Sequence, residues 1–229
     1  TGLNGSQLST LPLGTEYRDL MKVIPGIQYT QDATRGPSVG GSGQDNVYQF
    51  DGVNVTLPLF GTLAAEPSSH DIAQVTVVKG GARAVDFERA GGFSVDSVSK
   101  SGTDKWSGQL NYRLQNSGMA ADLKSGSLSR YEQDKTWATA GIGGPLVKDR
   151  VFIYGSFYRP EVSRDNRANL YGPLPKYNSV RNEGFGKLTF TPTSKVLLNL
   201  SYRGSKRLDE SGLLASNASG TTGTGTLVK

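Results

Sequence analysis

YQFDGVNV (residues 48–55) and DIAQVTVVKGGARAVDFERAGGFSVDSVSKSGT (residues 71–103) are the stretches that decide the fold. Apolar and polar residues alternate within them, at Val75 and Val77 and again at Phe93 and Val95, which is typical of half-buried strands. Asp51-Gly52 is a dipeptide that favours a tight hairpin, because both central residues of that turn need positive φ. The pattern therefore predicts several short strands separated by glycines.

The residues before this stretch predict one short helix. Residues 1–10 are small and polar, as in a linker, and Thr15 is predicted to cap an amphipathic helix over 16–23. Pro25-Gly26 should end it, and Ser69 should cap a single turn before a strand at 75–78. The apolar face of the helix is predicted to consist of Tyr17, Leu20, Met21 and Ile24.

A different pattern begins after residue 103. Residues 106–115 alternate strictly, over about the ten residues that a tilted strand needs to cross a bilayer. Arg113 should then face inward, away from lipid. Four more strands are predicted at 136–144, 150–158, 184–190 and 196–203, with short turns at 145–149 and 192–194 and long connections at 116–132 and 160–179. A soluble β-sandwich is the alternative interpretation of the same alternation.

The order of the motifs is more specific than any one of them. PGI at 25–27, the FDGVNV hairpin, VVKGGARAVDFERAGG at 77–92 and SKSGT at 99–103 follow one another. This order resembles the plug domain of TonB-dependent outer-membrane receptors, and in particular the Oar-like branch. The resemblance implies an α+β plug domain at 11–103, followed over 104–229 by antiparallel β strands of a truncated transmembrane β-barrel.

The resemblance also implies a location in the cell outer membrane, with the plug on the periplasmic side of the lumen, and a protein that is not an enzyme. A plugged transporter barrel has about 22 strands. Five strands would leave two open edges, which lipid does not tolerate. We therefore expect this chain to be part of a longer protein, and no energy-coupling box precedes Leu8.

Composition excludes several kinds of site. With no cysteine and one histidine, His70, the chain is not expected to contain disulfides, a metal site, a cofactor or a Ser-His-Asp relay. His70 is interpreted as a solvated or capping residue. A net charge of +5, scattered among acids, does not indicate nucleic-acid binding.

Two sets of site residues are implied by the resemblance. Plug loops of the family reach toward ligand, so Arg35, Gln44, Asn46 and Tyr48 are predicted to bind it, although a bland polar loop is the alternative for residues 28–46. The charges Arg83, Asp86, Glu88 and Arg89 are predicted to contact the barrel wall. The alternative for this second set is a solvated turn.

The implied partners are a TonB-type inner-membrane energy complex, outer-membrane lipid and a ligand that is a peptide or protein, a chelate or a glycan. Lipid could meet basic residues in or beside the outer loops, which are Lys124, Arg130, Arg159, Arg164, Arg167 and Lys176. Solvated loop charge is the favoured interpretation of these residues. The main alternative function is a β-rich surface module that binds or adheres without transport. A glycan-active enzyme would need a carboxylate pair such as Asp86 and Glu88.

Overall fold

A computed structural model describes residues 2–4, 7–8, 14, 16–30, 36–39, 45–57, 61, 63, 67–79, 91–119, 133–165, 175–193 and 195–210. The chain divides into two compact units, Thr1–Ser101 and Gly102–Lys229, and each is described by itself. The predicted domain limits at 11–103 and 104–229 stay predictions.

The N-terminal unit is built on a five-stranded sheet. Its strands are β1 (Gly2–Asn4), β2 (Val47–Phe50), β3 (Val53–Asn54), β4 (Ile72–Lys79) and β5 (Phe93–Ser99), in the spatial order β1-β4-β5-β2-β3. β2 and β5 run parallel, and the other neighbours are antiparallel. Residues 2–4 thus form an edge strand where the polar composition predicted a linker, because backbone pairing requires no apolar side chain.

The helix of this unit is a 3₁₀ helix, Tyr17–Val23, and its N-cap is Glu16 instead of the predicted Thr15, which lies outside the described residues. The Glu16 backbone N–H donates to Asp19 Oδ2 at 3.3 Å. The predicted apolar face is confirmed, since its members are all buried in the core with Val75, Val77, Phe93 and Val95. The second 3₁₀ helix, Ser69–Asp71, is capped by Ser68 and not by Ser69.

Two polar contacts tie this core together. The Tyr17 hydroxyl lies 2.7 Å from Ser97 Oγ in a buried hydrogen bond between helix and β5. Asp51 and Gly52 both have positive φ, 50° and 79°, which confirms the predicted hairpin turn. The Asp51 carboxylate also accepts from the backbone N–H and hydroxyl of Ser99. The turn residue therefore fastens the hairpin to the end of β5.

The C-terminal unit is an antiparallel meander of five strands, as predicted, in the order β10-β9-β8-β7-β6. The strands are β6 (Ser107–Gln115), β7 (Gln133–Val147), β8 (Val151–Arg164), β9 (Tyr177–Thr193) and β10 (Val196–Glu210). Four of them extend beyond the predicted limits, so the long connection predicted at 160–179 shortens to 165–176. The added residues are mostly polar. They continue the strands because the hydrogen bonds between strands join backbone groups and do not depend on side-chain polarity.

The alternation separates the two faces of this sheet. One, the apolar face, carries Leu110, Tyr112, Ile142, Ile153, Phe157, Phe190, Leu198, Leu200, Tyr202 and Leu208, all exposed and aligned by the strand register. The other, the polar face, carries Arg113, Thr139, Tyr158, Ser179, Arg181, Glu183, Lys187, Thr189, Arg203 and Arg207. Arg113 is thus on the side opposite the apolar residues, as predicted.

Two pairs of glycines lie on the apolar face. Gly155 pairs with Gly186, and Gly184 pairs with Gly204. A Cβ added at Gly184 or Gly186 would meet nothing within 4 Å. The backbone of β9 is therefore bare at these two positions, whereas a Cβ at Gly204 of β10 would meet the Tyr202 ring at 3.5 Å.

Gly102, the first residue of the unit, lies directly against the backbone of β7 and β8. A Cβ there would come within 2.4 Å of Ile153 O and 2.6 Å of Gly144 O. Because both atoms belong to paired strands, neither can move aside. The glycine of the SKSGT motif is required for this close approach.

Candidate functional site

The predicted ligand residues of the N-terminal unit that the structure describes are both buried. Asn46 is 0% exposed, donates from Nδ2 to Pro37 O at 2.7 Å and accepts from the Phe93 N–H at 3.3 Å. A Cβ at Gly92 would lie 2.4 Å from Asn46 Oδ1, so Gly92 makes room for this amide. Asn46 positions the start of β5.

Tyr48 belongs to an aromatic cluster in the core. Its ring meets Tyr17 edge-on at 6.3 Å and Phe93 at 5.8 Å between centroids. Arg35 and Gln44 lie outside the described residues. Asn46 and Tyr48 are placed by internal packing, and ligand binding by any of the four stays a prediction.

The second predicted set, Arg83, Asp86, Glu88 and Arg89, lies entirely outside the described residues. Its contact with a barrel wall therefore stays a prediction. The same holds for the carboxylate pair that a glycan-active enzyme would need.

His70, which was predicted to be a solvated or capping residue, is half-buried in the turn that Ser68 caps. Its backbone N–H donates to Ser68 Oγ at 3.2 Å, and its Nε2 is buried and makes no hydrogen bond in the part of the chain that the structure describes. Burial, together with the positive charge of Lys100, lowers the pKa of His70, and burial also lowers the pKa of Lys100. These surroundings therefore favour the neutral form of the imidazole.

The polar face of the C-terminal unit has the densest charge among the described residues. Glu183 of β9 is 3% exposed and accepts from Arg203 Nη1 on β10. Arg181 Nε lies 3.7 Å from the other carboxylate oxygen. Removing the carboxylate of such a buried pair would leave guanidinium groups uncompensated. Glu183 is therefore the electrostatic centre of this face.

Aromatic rings hold the guanidinium groups around this centre. Arg203 lies over Phe185 with its Cζ 4.6 Å from the ring centroid, and Arg181 lies over Tyr158 at 5.3 Å. Cation–π stacking of this kind stabilises a guanidinium and fixes its plane. The stacked pairs lie across neighbouring strands, so the sheet register sets their geometry.

A second cluster lies toward the β9 start and the β10 end. Arg207 Nε donates to Asp209 at 2.9 Å and to Ser179 Oγ at 3.1 Å, and its Nη2 donates to the Tyr177 hydroxyl at 3.3 Å. Arg164 stacks over the Tyr177 ring at 5.4 Å. Arg164 is therefore on the polar face, and its contact with lipid stays a prediction.

Sequence reasoning did not identify Arg181 and Glu183 as site residues. The signal was available, because both residues share the parity of Lys187 and Thr189, two polar positions of the predicted strand at 184–190. What could not be seen was the pairing of Arg181 with Arg207 across the strands, since register is set by the fold.

Other kinds of site find no support in the described residues. No group of three or more His, Cys, Asp or Glu side chains among them could hold a metal ion. None of their helices has the length and apolarity that a membrane-crossing helix requires.

Comparison with known proteins shows which of them this chain resembles in sequence. No family model matches the chain. The chain is 24% identical over 154 residues to the TonB-dependent transporter Oar of Myxococcus xanthus. The aligned stretch covers 62% of this chain and 14% of that protein. The chain thus spans about one seventh of the length of this relative.

Solved structures show the same fold. The outer-membrane transporter YddB of Escherichia coli matches 90% of the chain with a TM-score of 0.72 and 20% identity, over 33% of its own length. The siderophore receptor PirA of Acinetobacter baumannii matches 92% with a TM-score of 0.66 and 16% identity, over 32% of its length. The pyoverdine receptor FpvA of Pseudomonas aeruginosa, solved bound to pyoverdine, matches 92% with a TM-score of 0.66 and 17% identity, over 28% of its length.

These relatives are receptors and transporters and not enzymes. They confirm the predictions of outer-membrane β-barrel strands and of an outer-membrane location. In sequence and in fold, this chain is similar to the TonB-dependent outer-membrane receptors, as its motifs predicted.

Proposed function

We propose that this chain is the N-terminal part of a TonB-dependent receptor, in which residues 11–103 form a plug that occludes the barrel and takes part in energy-coupled ligand uptake. The observation that carries the proposal is the separation of faces in the C-terminal unit. An exposed apolar face backs a polar face of stacked arginines, which suits a wall between lipid and an aqueous lumen.

Strand dimensions support the same proposal. β7 to β10 have 14 to 17 residues, enough to cross a bilayer at a tilt and continue beyond it. The connections alternate between short turns after β7 and β9 and long segments after β6 and β8. Outer-membrane barrels have this asymmetry between periplasmic turns and outer loops.

The partners follow from this function. A TonB-type inner-membrane complex would supply energy by acting on the polypeptide N-terminal to the plug. Lipid would cover the apolar face, and the ligand would enter from the outer ends of the strands. In this scheme Arg35, Gln44, Asn46 and Tyr48 remain candidates for ligand contact, and Arg83, Asp86, Glu88 and Arg89 for contact with the barrel.

Deletion of residues 11–103 from the native polypeptide tests occlusion. We expect the deleted form to reach the outer membrane and to raise its permeability to a large antibiotic that intact outer membranes exclude. Conductance of the purified protein in planar bilayers should rise in parallel. The undeleted polypeptide, expressed to the same level, is the control.

An unchanged permeability and conductance, with the deleted form folded in the outer membrane, would contradict the plug assignment. Recovery of the native polypeptide in a soluble fraction would contradict the receptor itself. In that case a non-transporting surface module would become the better explanation.

A further inference from the structure

The end of the C-terminal sheet at which short turns join the strands carries four exposed cations. They are Lys105 before β6, Lys148 and Arg150 between β7 and β8, and Lys195 between β9 and β10, here called the basic rim. The described residues of the same segments, 102–106, 148–150 and 195, add two carboxylates, Asp104 and Asp149. Four positive charges against two negative ones leave an excess of +2 at this end of the sheet.

The charges of the basic rim are not neutralised within the sheet. No ion pair joins any of its four cations to another residue that the structure describes. The backbone that carries them is nevertheless fixed. The Thr191 N–H donates to Arg150 O at 2.7 Å, which ties the β7–β8 turn to the end of β9, and the Thr103 hydroxyl donates to Lys105 O at 3.0 Å. The rim therefore presents its cations from an ordered backbone.

Exposed apolar side chains lie beside these cations in the chain. The neighbours that are more than half exposed are Trp106, Leu146, Val147 and Leu197. A tryptophan between apolar and charged residues is typical of a membrane–water interface. A lysine at such a border can lay its methylene stem along the apolar surface and keep its ammonium group in water. The rim therefore has the composition of a surface that contacts lipid headgroups.

The depth of the rim agrees with a headgroup position. Lys105 is five residues from Leu110, and Lys195 is five residues from Leu200, each an exposed leucine of the apolar face. Five residues correspond to ~13 Å along the membrane normal, at a rise of ~3.4 Å and a tilt of ~40°. Half of an apolar band about 25 Å tall is ~12.5 Å. If the two leucines lie close to the midplane, both lysines lie just beyond the hydrocarbon, where lipid phosphates are.

We infer that the basic rim binds the anionic headgroups of glycerophospholipids, such as phosphatidylglycerol, in preference to zwitterionic headgroups. The inference rests on the proposed receptor function, which places lipid on the apolar face and makes the leaflet at the short turns the periplasmic one. Charge complementarity carries it, because each Lys or Arg close to a membrane surface strengthens the attraction to anionic lipid by about fivefold.

The test uses the native polypeptide, purified from outer membranes and freed of bound lipid in an uncharged detergent. Phosphatidylglycerol and phosphatidylethanolamine with the same acyl chains are added at equal concentration, and native mass spectrometry counts the molecules of each that stay bound. We expect phosphatidylglycerol to be retained about fivefold more than phosphatidylethanolamine, or better. The preference should fall as the concentration of ammonium acetate rises, because salt screens exposed charges.

The variant that combines Lys105→Gln, Lys148→Gln, Arg150→Gln and Lys195→Gln should lose the preference. Arg159→Gln is the matched control, because Arg159 is a half-exposed cation on the apolar face toward the opposite end of β8. If the combined variant does not fold, Lys148→Gln with Arg150→Gln changes one turn only and should still lower the preference by about twofold. Lys148→Arg with Lys195→Arg keeps the charge and should keep the preference.

Equal retention of the two lipids by the native protein would overturn the inference and leave the rim to an acidic partner in the aqueous phase. An undiminished preference in the folded combined variant would overturn it as well. Neither result touches the receptor function, which is tested separately by the permeability of the form lacking residues 11–103. Recovery of the native polypeptide in a soluble fraction would remove both.

Discussion

An arginine placed on the apolar face should be far more costly than one placed on the polar face of the same strand. Leu110 of β6 is 82% exposed on the apolar face, and its neighbour Gln109 lies on the polar face opposite Gly141. Leu110→Arg and Gln109→Arg add the same charge at almost the same depth. Their difference therefore reports which face meets lipid.

The magnitude follows from the position of Leu110 along the strand. Trp106, 57% exposed, lies four residues before it, at the depth expected of an interfacial aromatic belt. Four residues correspond to about 10 Å along the membrane normal, at a rise of ~3.4 Å and a tilt of ~40°. Since the apolar band is about 25 Å tall, Leu110 is close to the midplane.

An arginine on the lipid face at that depth lowers the free energy of unfolding by about 2–4 kcal/mol. This corresponds to a change of roughly 30- to 800-fold in the folding equilibrium constant. Gln109→Arg should change the free energy of unfolding by less than about 0.5 kcal/mol. The measurement is urea unfolding of the native polypeptide in lipid vesicles, read by the heat-dependent mobility shift of the folded form on gels. Equal destabilisation by the two variants would refute the assignment of faces and favour the soluble sandwich.

Three further predictions concern the N-terminal unit and the start of the second unit. Gly102→Ala should lower the free energy of unfolding by about 1–3 kcal/mol, because the added Cβ would overlap the backbone of β7 and β8. Gly184→Ala is the control, because its Cβ would meet open space and should leave stability unchanged. The midpoints of urea unfolding compare the two variants. His70 has a folded-state pKa lowered by burial, so the unfolded chain binds the extra proton first. Stability should therefore be full above about pH 6.5 and fall as pH decreases below it, and His70→Gln should flatten this dependence in unfolding curves recorded from pH 7.5 to 5. Tyr17→Phe should lower the free energy of unfolding by about 1–3 kcal/mol, because it removes the partner of the buried Ser97 hydroxyl. Adding Ser97→Ala should restore part of that stability. A double-mutant cycle of unfolding free energies measures the coupling between the two residues.

Much of the strand architecture could be predicted because period-two alternation has a direct physical cause. Leu110 and Tyr112 alternate with polar neighbours, and the sheet places the two classes on opposite faces. The Asp51-Gly52 hairpin was predictable because few residues adopt positive φ. Both signals depend only on neighbouring residues in the chain.

What depends on distant residues could not be predicted. Asn46 reads as a loop amide, yet its two hydrogen bonds to Pro37 and Phe93 bury it completely. The helix cap shifted from Thr15 to Glu16, and the second cap from Ser69 to Ser68, because several adjacent residues can accept the same backbone N–H. The opposition of Arg181 and Arg207 required the register.

The two glycine pairs, Gly155 with Gly186 and Gly184 with Gly204, have a mechanical consequence. Because Gly184 and Gly186 of β9 carry no side chain and have open space around them, the sheet can coil more sharply there than at Leu188 and Phe190 of the same strand. Bending of the five-stranded sheet would concentrate at these glycines. The parts of the sheet on either side would then move as rigid units, with the change of angle at the glycines.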